Sequence, residues 1–249
     1  MHRIILAIVF SIFTIQWICC NDKNGVMTKI LQVSSEKNKD INKTIFFWRV
    51  DTKEKVVFLT FDDGPGQYTN NVLELLKKYN IKATFFVLGE MVKLHPEILK
   101  KVYESGHSIG SHTYYHNNFY KMQKNLSVDS CKKKLDEELK MTENEIKKVL
   151  PKAEIKFLRM PNGYYKNWVS IIAKNYEYKV VNWTFGCDWQ NYTEEEMINK
   201  YKKALQPGCI YIFHDNGKNI TKTIKVIQKV IEYCITNGYR IEKLDDWIN

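Results

Sequence analysis

Residues 56–65 read VVFLTFDDGP. The first six are apolar or β-branched, as is typical of a strand that is buried on both faces. Two adjacent carboxylates, Asp62 and Asp63, follow directly, and Gly-Pro then signals a turn. Buried strands of this kind pair in parallel under helices, and α/β folds place their active sites at the carboxyl ends of such strands. The stretch therefore predicts a parallel sheet with reactive side chains at one edge.

The same alternation of apolar strands and helix-like segments continues along the chain. Further strand-like runs lie at 83–88, 107–111, 155–160, 178–183, 209–214 and 239–241, and helix-like segments lie at 70–79, 95–105, 128–150, 167–176, 193–205 and up to 234. This order predicts an α/β fold with a parallel strand core, as a barrel or a doubly wound sheet. No internal repeat or linker interrupts residues 51–249, so we expect them to form a single domain.

The first 50 residues differ from the rest. Residues 1–20 place two basic groups before an apolar stretch of roughly 15 residues, which is short for a bilayer span and predicts a signal peptide. A retained signal anchor is the alternative. Residues 21–50 are polar and predict a loose N-terminal arm. We expect a secreted protein, extracellular or associated with a cell wall, with no stable membrane span.

Cysteines and glycosylation signals acquire meaning if the protein is secreted. Four cysteines follow the leader, at Cys131, Cys187, Cys209 and Cys234, and they allow three pairings among which the sequence does not choose. Acceptor sequences for N-glycans begin at Asn42, Asn125, Asn182, Asn191 and Asn219. Asn182 falls in a predicted strand, so it is the poorest acceptor of the five.

The net charge of +10 comes mainly from lysines dispersed over helical segments. Dispersed lysine is typical of a solvated helix face, and no nucleic-acid motif accompanies it. We therefore expect no nucleic-acid partner, and we expect a monomer.

Four more polar motifs follow TFDDGP in the order SHTYYH, RMPNG, DW and FHD, at 111–116, 159–163, 188–189 and 213–215. His112 and His116 are four residues apart and can face one cation if their segment is helical or tightly turned. Each motif alone has an ordinary structural explanation, such as two core histidines or a surface turn. Together they supply the ligands of a divalent metal site with a separate acid and base. This inventory indicates a metal-dependent hydrolase.

The five motifs in this order resemble those of the polysaccharide deacetylases, the fourth carbohydrate esterase family, and the similarity spans residues from about 55 to 242. The resemblance implies a distorted (β/α) barrel that removes N- or O-acetyl groups from sugar polymers. It implies that Asp63, His112 and His116 bind the metal, with Zn²⁺ expected and Co²⁺ as the alternative.

The resemblance also implies roles for the other motif residues. Asp62 would be the general base and His214 the general acid, Arg159 would orient Asp62, and Asp188 would adjust the pKa of His214. Expected substrate-binding residues are Asn162, Tyr164, Trp189 and Ile212. Two departures from the family pattern concern the sugar groove: Asn162 stands where the family usually has Tyr, and residues 183–189 form a shortened segment.

The sequence thus favours a deacetylase that acts on N-acetylglucosamine polymers, with chitin or chitooligosaccharide as the expected substrate. One alternative is a non-catalytic family member that binds carbohydrate or has a structural role at a cell wall. Another is the same chemistry on peptidoglycan or xylan.

Overall fold

The computed structural model describes residues 46–217 and 220–248, and four two-residue strands before residue 20. Those strands form two antiparallel pairs, Leu6–Ala7 with Ile18–Cys19 and Phe10–Ser11 with Thr14–Ile15. The rest of the predicted signal peptide and residues 21–45 of the predicted arm lie outside the described residues, as do the acceptor sites at Asn42 and Asn219.

Residues 45–249 form one compact unit built on eight strands. In chain order the strands are β1 (Phe46–Phe47), β2 (Val56–Asp62), β3 (Thr84–Val87), β4 (Ser108–Ser111), β5 (Phe157–Leu158), β6 (Lys179–Val181), β7 (Cys209–His214) and β8 (Arg240–Glu242). They hydrogen-bond in the order β7-β2-β3-β4-β5-β6-β1, and β8 pairs with β2. All these pairings are parallel, as the continuous apolar strands predicted.

Within 46–217 and 220–248, eight helices connect these strands. They are α1 (Thr69–Lys78), α2 (Gly89–Leu94), α3 (Pro96–Glu104), α4 (Phe119–Asn125), α5 (Val128–Val149), α6 (Asn167–Lys174), α7 (Glu194–Lys203) and α8 (Ile220–Thr236). Three begin at side-chain caps: Asn118 accepts from the backbone of Lys121, Ser127 accepts from the backbone of Ser130, and Thr193 forms a reciprocal capping box with Glu196. No helix in 46–217 or 220–248 is long and apolar enough to cross a membrane.

The sheet curls so far that the segment after β6 hydrogen-bonds to β7. The backbone N–H of Thr184 donates to the carbonyl of Ile210 at 2.8 Å, and that of Ile212 donates to the carbonyl of Phe185 at 3.0 Å. Irregular backbone between β6 and β7 therefore closes the barrel, where a regular strand would otherwise continue. The α/β architecture and the distorted (β/α) barrel expected from the motifs are confirmed.

Alternation along the strands separates two cores. Residues such as Val56, Phe58 and Ile210 pack inside the barrel, whereas Val57, Leu59 and Phe213 pack outward with the helices. Because side chains alternate along a strand, each strand's interior face continues into the residue at its carboxyl end. That face carries motif residues to the barrel mouth.

Several predictions need correction. Phe46–Phe47 pairs in register with β6, so the sheet begins before residue 51, where the sequence placed the start of the domain. The strand predicted at 155–160 is regular only at Phe157–Leu158, and helices α2 and α4 were not predicted. All four cysteines after the leader are buried and free, so none of the three possible pairings is present.

Candidate active site

Asp62 and Asp63 leave the end of β2 in different directions. Asp62 continues the interior face of the strand and is 1% exposed. Asp63 has a φ of 73°, in the left-handed region that Asp adopts more readily than most residues. The turn brings the Asp63 carboxylate to the loop that carries His112 and His116, called the histidine loop below. The two adjacent carboxylates therefore have separate environments.

His112 follows the interior face of β4, and His116 lies four residues later in a tight non-helical turn. Thr113 and His116 both have positive φ, at 68° and 54°. The turn brings the two imidazole rings to 5.1 Å between centroids. The sequence left helix and tight turn as alternatives, and the structure has the turn.

The histidines converge on the Asp63 carboxylate. Its Oδ1 lies 3.5 Å from Nε2 of His112 and 3.6 Å from Nε2 of His116, and one ligand atom from each residue lies within 4.8 Å of the others. Tetrahedral bonds of 2.0–2.1 Å to one zinc ion place ligand atoms about 3.3–3.5 Å apart. Oδ1 of Asp63 is also buried without a hydrogen-bond partner. The three side chains therefore fit a divalent cation.

The tautomer of His112 suits this role. Its Nδ1 lies 2.7 Å from the carbonyl oxygen of Arg159, which can only accept, so Nδ1–H is the donor and Nε2 carries the lone pair. Burial lowers the pKa of His112 to about 3. His112 is thus the neutral imidazole that a metal ion requires.

Arg159 lies fully buried on the interior face that Phe157 begins. Its guanidinium donates to Asp62 Oδ1 at 2.7 Å and to Thr60 Oγ1 at 2.8 Å. It also donates to the carbonyl oxygens of Val181 and Asn182, at 3.0 and 2.9 Å. These hydrogen bonds fix the orientation of Arg159. Arg159 in turn fixes the orientation of Asp62.

Burial and ion pairing act oppositely on Asp62. Burial raises the pKa of the Asp62 carboxyl above its usual value, and the positive charge of Arg159 opposes the rise. The balance lies on the raised side. A carboxylate with a raised pKa accepts a proton more readily than an exposed one, as a general base must.

His214 faces Asp62 across the strand pair. The two residues are in register between β7 and β2. Both oxygens of Asp188 hold His214: one accepts from the backbone N–H at 2.8 Å and the other from Nδ1 at 3.0 Å. Burial lowers the pKa of His214, but the hydrogen bond and charge of Asp188 outweigh it, with help from Asp62 and Asp63, and raise it to about 9. His214 therefore carries a proton at neutral pH.

The sequence assigned no role to Asp215, which lies beneath the TFDDGP turn. The Thr69 hydroxyl donates to Asp215 Oδ2 at 2.5 Å, and the backbone N–H of Asp215 donates to the carbonyl of Asp62 at 3.2 Å. Burial raises its pKa to about 7. A Cβ on Gly64 would meet the Asp215 carboxylate at 2.5 Å. Glycine is therefore required where the turn crosses this side chain.

Glu138, on helix α5, anchors the histidine loop. Its fully buried carboxylate accepts from the backbone N–H of Tyr114 and of Tyr115, both at 3.2 Å, and from the side-chain amide of Asn117 at 2.5 Å. Tyr114 and Tyr115 lie between the candidate metal ligands His112 and His116, and Asn117 directly follows His116. A charged residue at the core-facing position between Leu135 and Leu139 was the sequence signal that could have identified it.

Asn162 lies on a one-turn 3₁₀ helix, Pro161–Gly163, at the barrel mouth. It is exposed, and its φ of 56° is left-handed. The side-chain amide of Asn182 donates to the carbonyl of Gly163 at 3.1 Å and fixes the turn against β6. Asn182 is thus engaged in the site through both its side chain and its backbone.

Two tryptophans pack beside His214 and the Asn162 turn. Trp189 is 52% exposed and packs edge-on against His214, with 5.4 Å between ring centroids. Trp183 packs edge-on against Trp189 at 6.2 Å and approaches Gly163, and the sequence did not select it. It continues the interior face of Val181, so strand alternation was its signal.

Two predicted substrate-binding residues are buried. Ile212 shares the strand face of His214 and packs against Gly186 at the base of the mouth. Tyr164 is 0% exposed, between Trp168 and Tyr120, and its hydroxyl donates to Gln123. Tyr164, an expected substrate-binding residue, has no ring face open to a sugar, because helix α4 covers its ring.

Fold and site together define a parallel barrel with a candidate cation site, a buried carboxylate and a protonated histidine at the strand ends. Comparison with known proteins agrees. The polysaccharide deacetylase family model matches residues 49–181. A peptidoglycan-N-acetylglucosamine deacetylase of Bacillus cereus is 34% identical over 197 residues, covering 78% of this chain and 88% of that protein.

The peptidoglycan-N-acetylmuramic acid deacetylase PdaA of Bacillus subtilis is 31% identical over 237 residues, covering 90% of this chain and 83% of that protein. Its structure, that of a family 4 carbohydrate esterase, superposes with a TM-score of 0.70 at 29% identity over 86% of this chain and 88% of that chain. The chain belongs to the polysaccharide deacetylase family, as the motifs predicted.

A second solved structure is also similar. It is a CE4 family pseudoenzyme from Bacillus anthracis, with a TM-score of 0.72 at 24% identity over 82% of this chain and 69% of that chain. At this identity the likeness establishes the fold alone.

Proposed function

We propose that the protein is a metal-dependent deacetylase that hydrolyses the N-acetyl groups of N-acetylglucosamine residues in a polysaccharide. The observation that carries the proposal is the convergence of Asp63, His112 and His116 within 4.8 Å, next to the carboxylate that Arg159 holds. A cation site beside a separate base and a separate acid is what amide hydrolysis at neutral pH requires.

In this proposal Asp63, His112 and His116 hold the cation. Two neutral imidazoles and one carboxylate suit zinc, and cobalt accepts the same donors. A divalent cation bound there supplies Lewis acidity toward the acetyl carbonyl and the attacking water.

Asp62 removes a proton from the attacking water. Arg159 keeps one oxygen of Asp62 engaged, so its other oxygen faces the cation site, 3.6 Å from Nε2 of His112. The water oxygen adds to the acetyl carbon, and the backbone N–H of Asn162 on the exposed turn is the candidate donor to the developing oxyanion.

His214 completes the reaction as the acid. Its Nδ1 is held by Asp188, so the proton on Nε2 is the one available to the leaving amine. The carbon–nitrogen bond breaks as the amine takes this proton, which yields acetate and a free amino sugar. An amine leaves poorly without protonation, so a histidine whose pKa is raised to about 9 supports the assignment.

Two polymers that contain the acetylated sugar are the candidate substrates. Chitin, the polymer expected from the sequence, is a neutral chain of N-acetylglucosamine. The Bacillus relatives are named for peptidoglycan, in which N-acetylglucosamine alternates with the carboxylate-bearing N-acetylmuramic acid. Secretion through residues 1–20 is part of the proposal, because both polymers lie outside the cytoplasm.

Acetate release tests the proposal. Purified protein loaded with zinc is incubated with chitotetraose-type oligomers and with peptidoglycan oligomers, and acetate and free amines are measured. We expect equal amounts of both products from at least one oligomer. If a protein that retains one zinc per chain releases acetate from neither, the non-catalytic alternative replaces the enzyme. Amino-terminal sequencing of secreted protein tests the leader, since it should begin after residue 20.

A further inference from the structure

A groove flanks the candidate active site, between helix α4 and the residues after the Asn162 turn. It has a volume of about 360 Å³. Its lining consists of two tyrosines, one glutamine and two lysines, namely Tyr120, Gln123, Lys124, Tyr164 and Lys166. A volume of this size lies within the range of small-ligand sites.

Two connections place the groove next to the chemistry. The Tyr120 hydroxyl lies 3.4 Å from the carbonyl oxygen of Gly163, which belongs to the same turn as Asn162. Helix α4 also begins three residues after His116, a candidate cation ligand. A sugar in the groove would therefore be close to the residue that is deacetylated.

Tyr120 provides the exposed aromatic face of the groove. It is 48% exposed and packs edge-on against Tyr164, with 4.9 Å between ring centroids. Tyr164 is buried and held by Gln123, so it supports Tyr120 from below. An exposed, braced aromatic ring is suited to stacking against the apolar face of a sugar ring.

The charged side chains that line the groove, Lys124 and Lys166, are both positive. Lys124 and Lys166 are exposed, and neither forms an ion pair with a residue in 46–217 or 220–248. Among the described residues no acidic side chain lines the groove, and helix α4, with sequence FYKMQKN, contains none. A neutral chitin chain gains nothing from two ammonium groups here, whereas a carboxylate-bearing sugar gains electrostatic attraction.

We propose that this groove is a subsite for a sugar residue that carries a carboxylate, so that the enzyme prefers an acidic glycan to chitin. The inference rests on the proposed function for the identity of the neighbouring reaction. Tyr120 would stack on the sugar ring, and Lys124 and Lys166 would attract its carboxylate. The substrate would then be a chain in which acidic and N-acetylglucosamine residues alternate.

Two oligosaccharides that differ only in charge test the subsite. One is a tetrasaccharide of alternating N-acetylglucosamine and N-acetylmuramic acid with free carboxylates, and the other is the same tetrasaccharide with those carboxylates amidated. Dissociation constants are measured by calorimetry at low salt for zinc-loaded protein. The variants are the double substitution Lys124→Gln/Lys166→Gln, Tyr120→Ala, and Lys121→Gln as the matched control on the same helix.

We expect the native protein to bind the acidic oligomer about 5–10-fold more tightly than the amidated one, as two exposed charge pairs allow. The double substitution should abolish this ratio, and Lys121→Gln should preserve it. Tyr120→Ala should weaken the binding of both oligomers by about fivefold, because stacking does not depend on the carboxylate.

Equal binding of the two oligomers by the native protein, or an unchanged ratio in the double variant, contradicts the subsite. Acetate release is scored separately. If the charge preference is present and disappears in the double variant, the subsite stands even where no acetate is released, and only the proposed catalysis fails. If acetate is released without a charge preference, the catalysis stands and the subsite fails.

Discussion

The guanidinium of Arg159 donates to Oδ1 of Asp62 at 2.7 Å. The carbonyl oxygen of the same arginine accepts from Nδ1 of His112, also at 2.7 Å. One buried residue therefore orients the proposed base with its side chain and a proposed cation ligand with its backbone. Because β5 places Arg159 beside both, the base and the cation site are positioned together.

The first prediction concerns the separate roles proposed for the adjacent carboxylates of Asp62 and Asp63. Asp62→Asn removes the proton acceptor but none of the three proposed cation ligands. We expect the zinc affinity to stay within about threefold and kcat to fall by at least about 10²-fold, as loss of a general base does. Zinc affinity is measured by competition with a chelator and kcat by acetate release.

Asp63→Asn is the matched control for that experiment. It should lose zinc affinity and activity together, because Oδ1 of Asp63 is shared by both histidines. Equal loss of zinc binding in the two variants would show that the roles of the carboxylates are divided wrongly.

A second prediction concerns the proton on His214. The neighbouring Asp188 raises its pKa to about 9, above the ordinary value of 6.5, so the protonated acid is present at neutral pH and is lost as pH rises through about 9. Asp188→Asn removes the charge while burial persists, so the pKa should fall by about 1–2 units. Histidine NMR titration of cation-free protein measures this shift directly.

The alkaline limb of kcat/KM should move to lower pH by a similar amount in Asp188→Asn. If the alkaline limb of the kcat/KM profile does not move, a group other than His214 supplies the proton. The linkage has the same sign: stability from the His214–Asp188 pair is fully present below about 6.5 and disappears as pH rises through about 9.

A third prediction tests the anchor of the histidine loop. Glu138→Gln replaces a carboxylate that accepts three hydrogen bonds with an amide whose NH₂ group faces N–H donors. The loop between His112 and His116 should loosen, and zinc affinity should fall by about tenfold, as is common for supporting residues around a metal.

Glu137→Gln is the control, since Glu137 is exposed on the same helix. Calorimetric zinc titration of both variants, with the Tm of each cation-free protein, separates a weakened site from a weakened fold. A normal zinc affinity in Glu138→Gln would show that the anchor has no influence on the site.

A fourth prediction concerns the position where the family usually has tyrosine. Asn162→Tyr adds an aromatic face beside the mouth, and we expect kcat/KM on short oligomers to rise by about fivefold. The left-handed φ of 56° favours Asn, so Tyr should cost about 1 kcal/mol and lower the Tm by about 2–4 °C. Asn162→Ala carries the strain without the ring and should lower the Tm alone; an unchanged kcat/KM in Asn162→Tyr would contradict the argument.

The sequence predicted the strands that lead to the site, because each is a continuous apolar run that ends in polar residues. Strands at 56–62 and 209–214 appear almost as predicted, and the α5 helix ends one residue earlier than expected. Helix α4 was missed since it is short and its only buried residue is Phe119. A single buried side chain leaves no periodic pattern to recognise.

Motif residues were predictable because their chemistry is visible in the sequence, but the contacts that the supporting residues make with them were not. Thr60, Asn182 and Glu138 join the site through contacts across 99, 23 and 21–24 positions. Such contacts depend on strand register and loop geometry. The substrate-binding role expected for Tyr164 also depended on such contacts, since helix α4 covers its ring.

The central claim is that a cation held by Asp63, His112 and His116 enables removal of acetyl groups. The most direct measurement is acetate release from N-acetylglucosamine-containing oligomers by native protein and His112→Ala, before chelation, after chelation and after addition of zinc. We expect native activity to disappear on chelation and to return with one zinc per chain, while His112→Ala neither retains zinc nor releases acetate. Native activity that survives complete removal of the cation would contradict it.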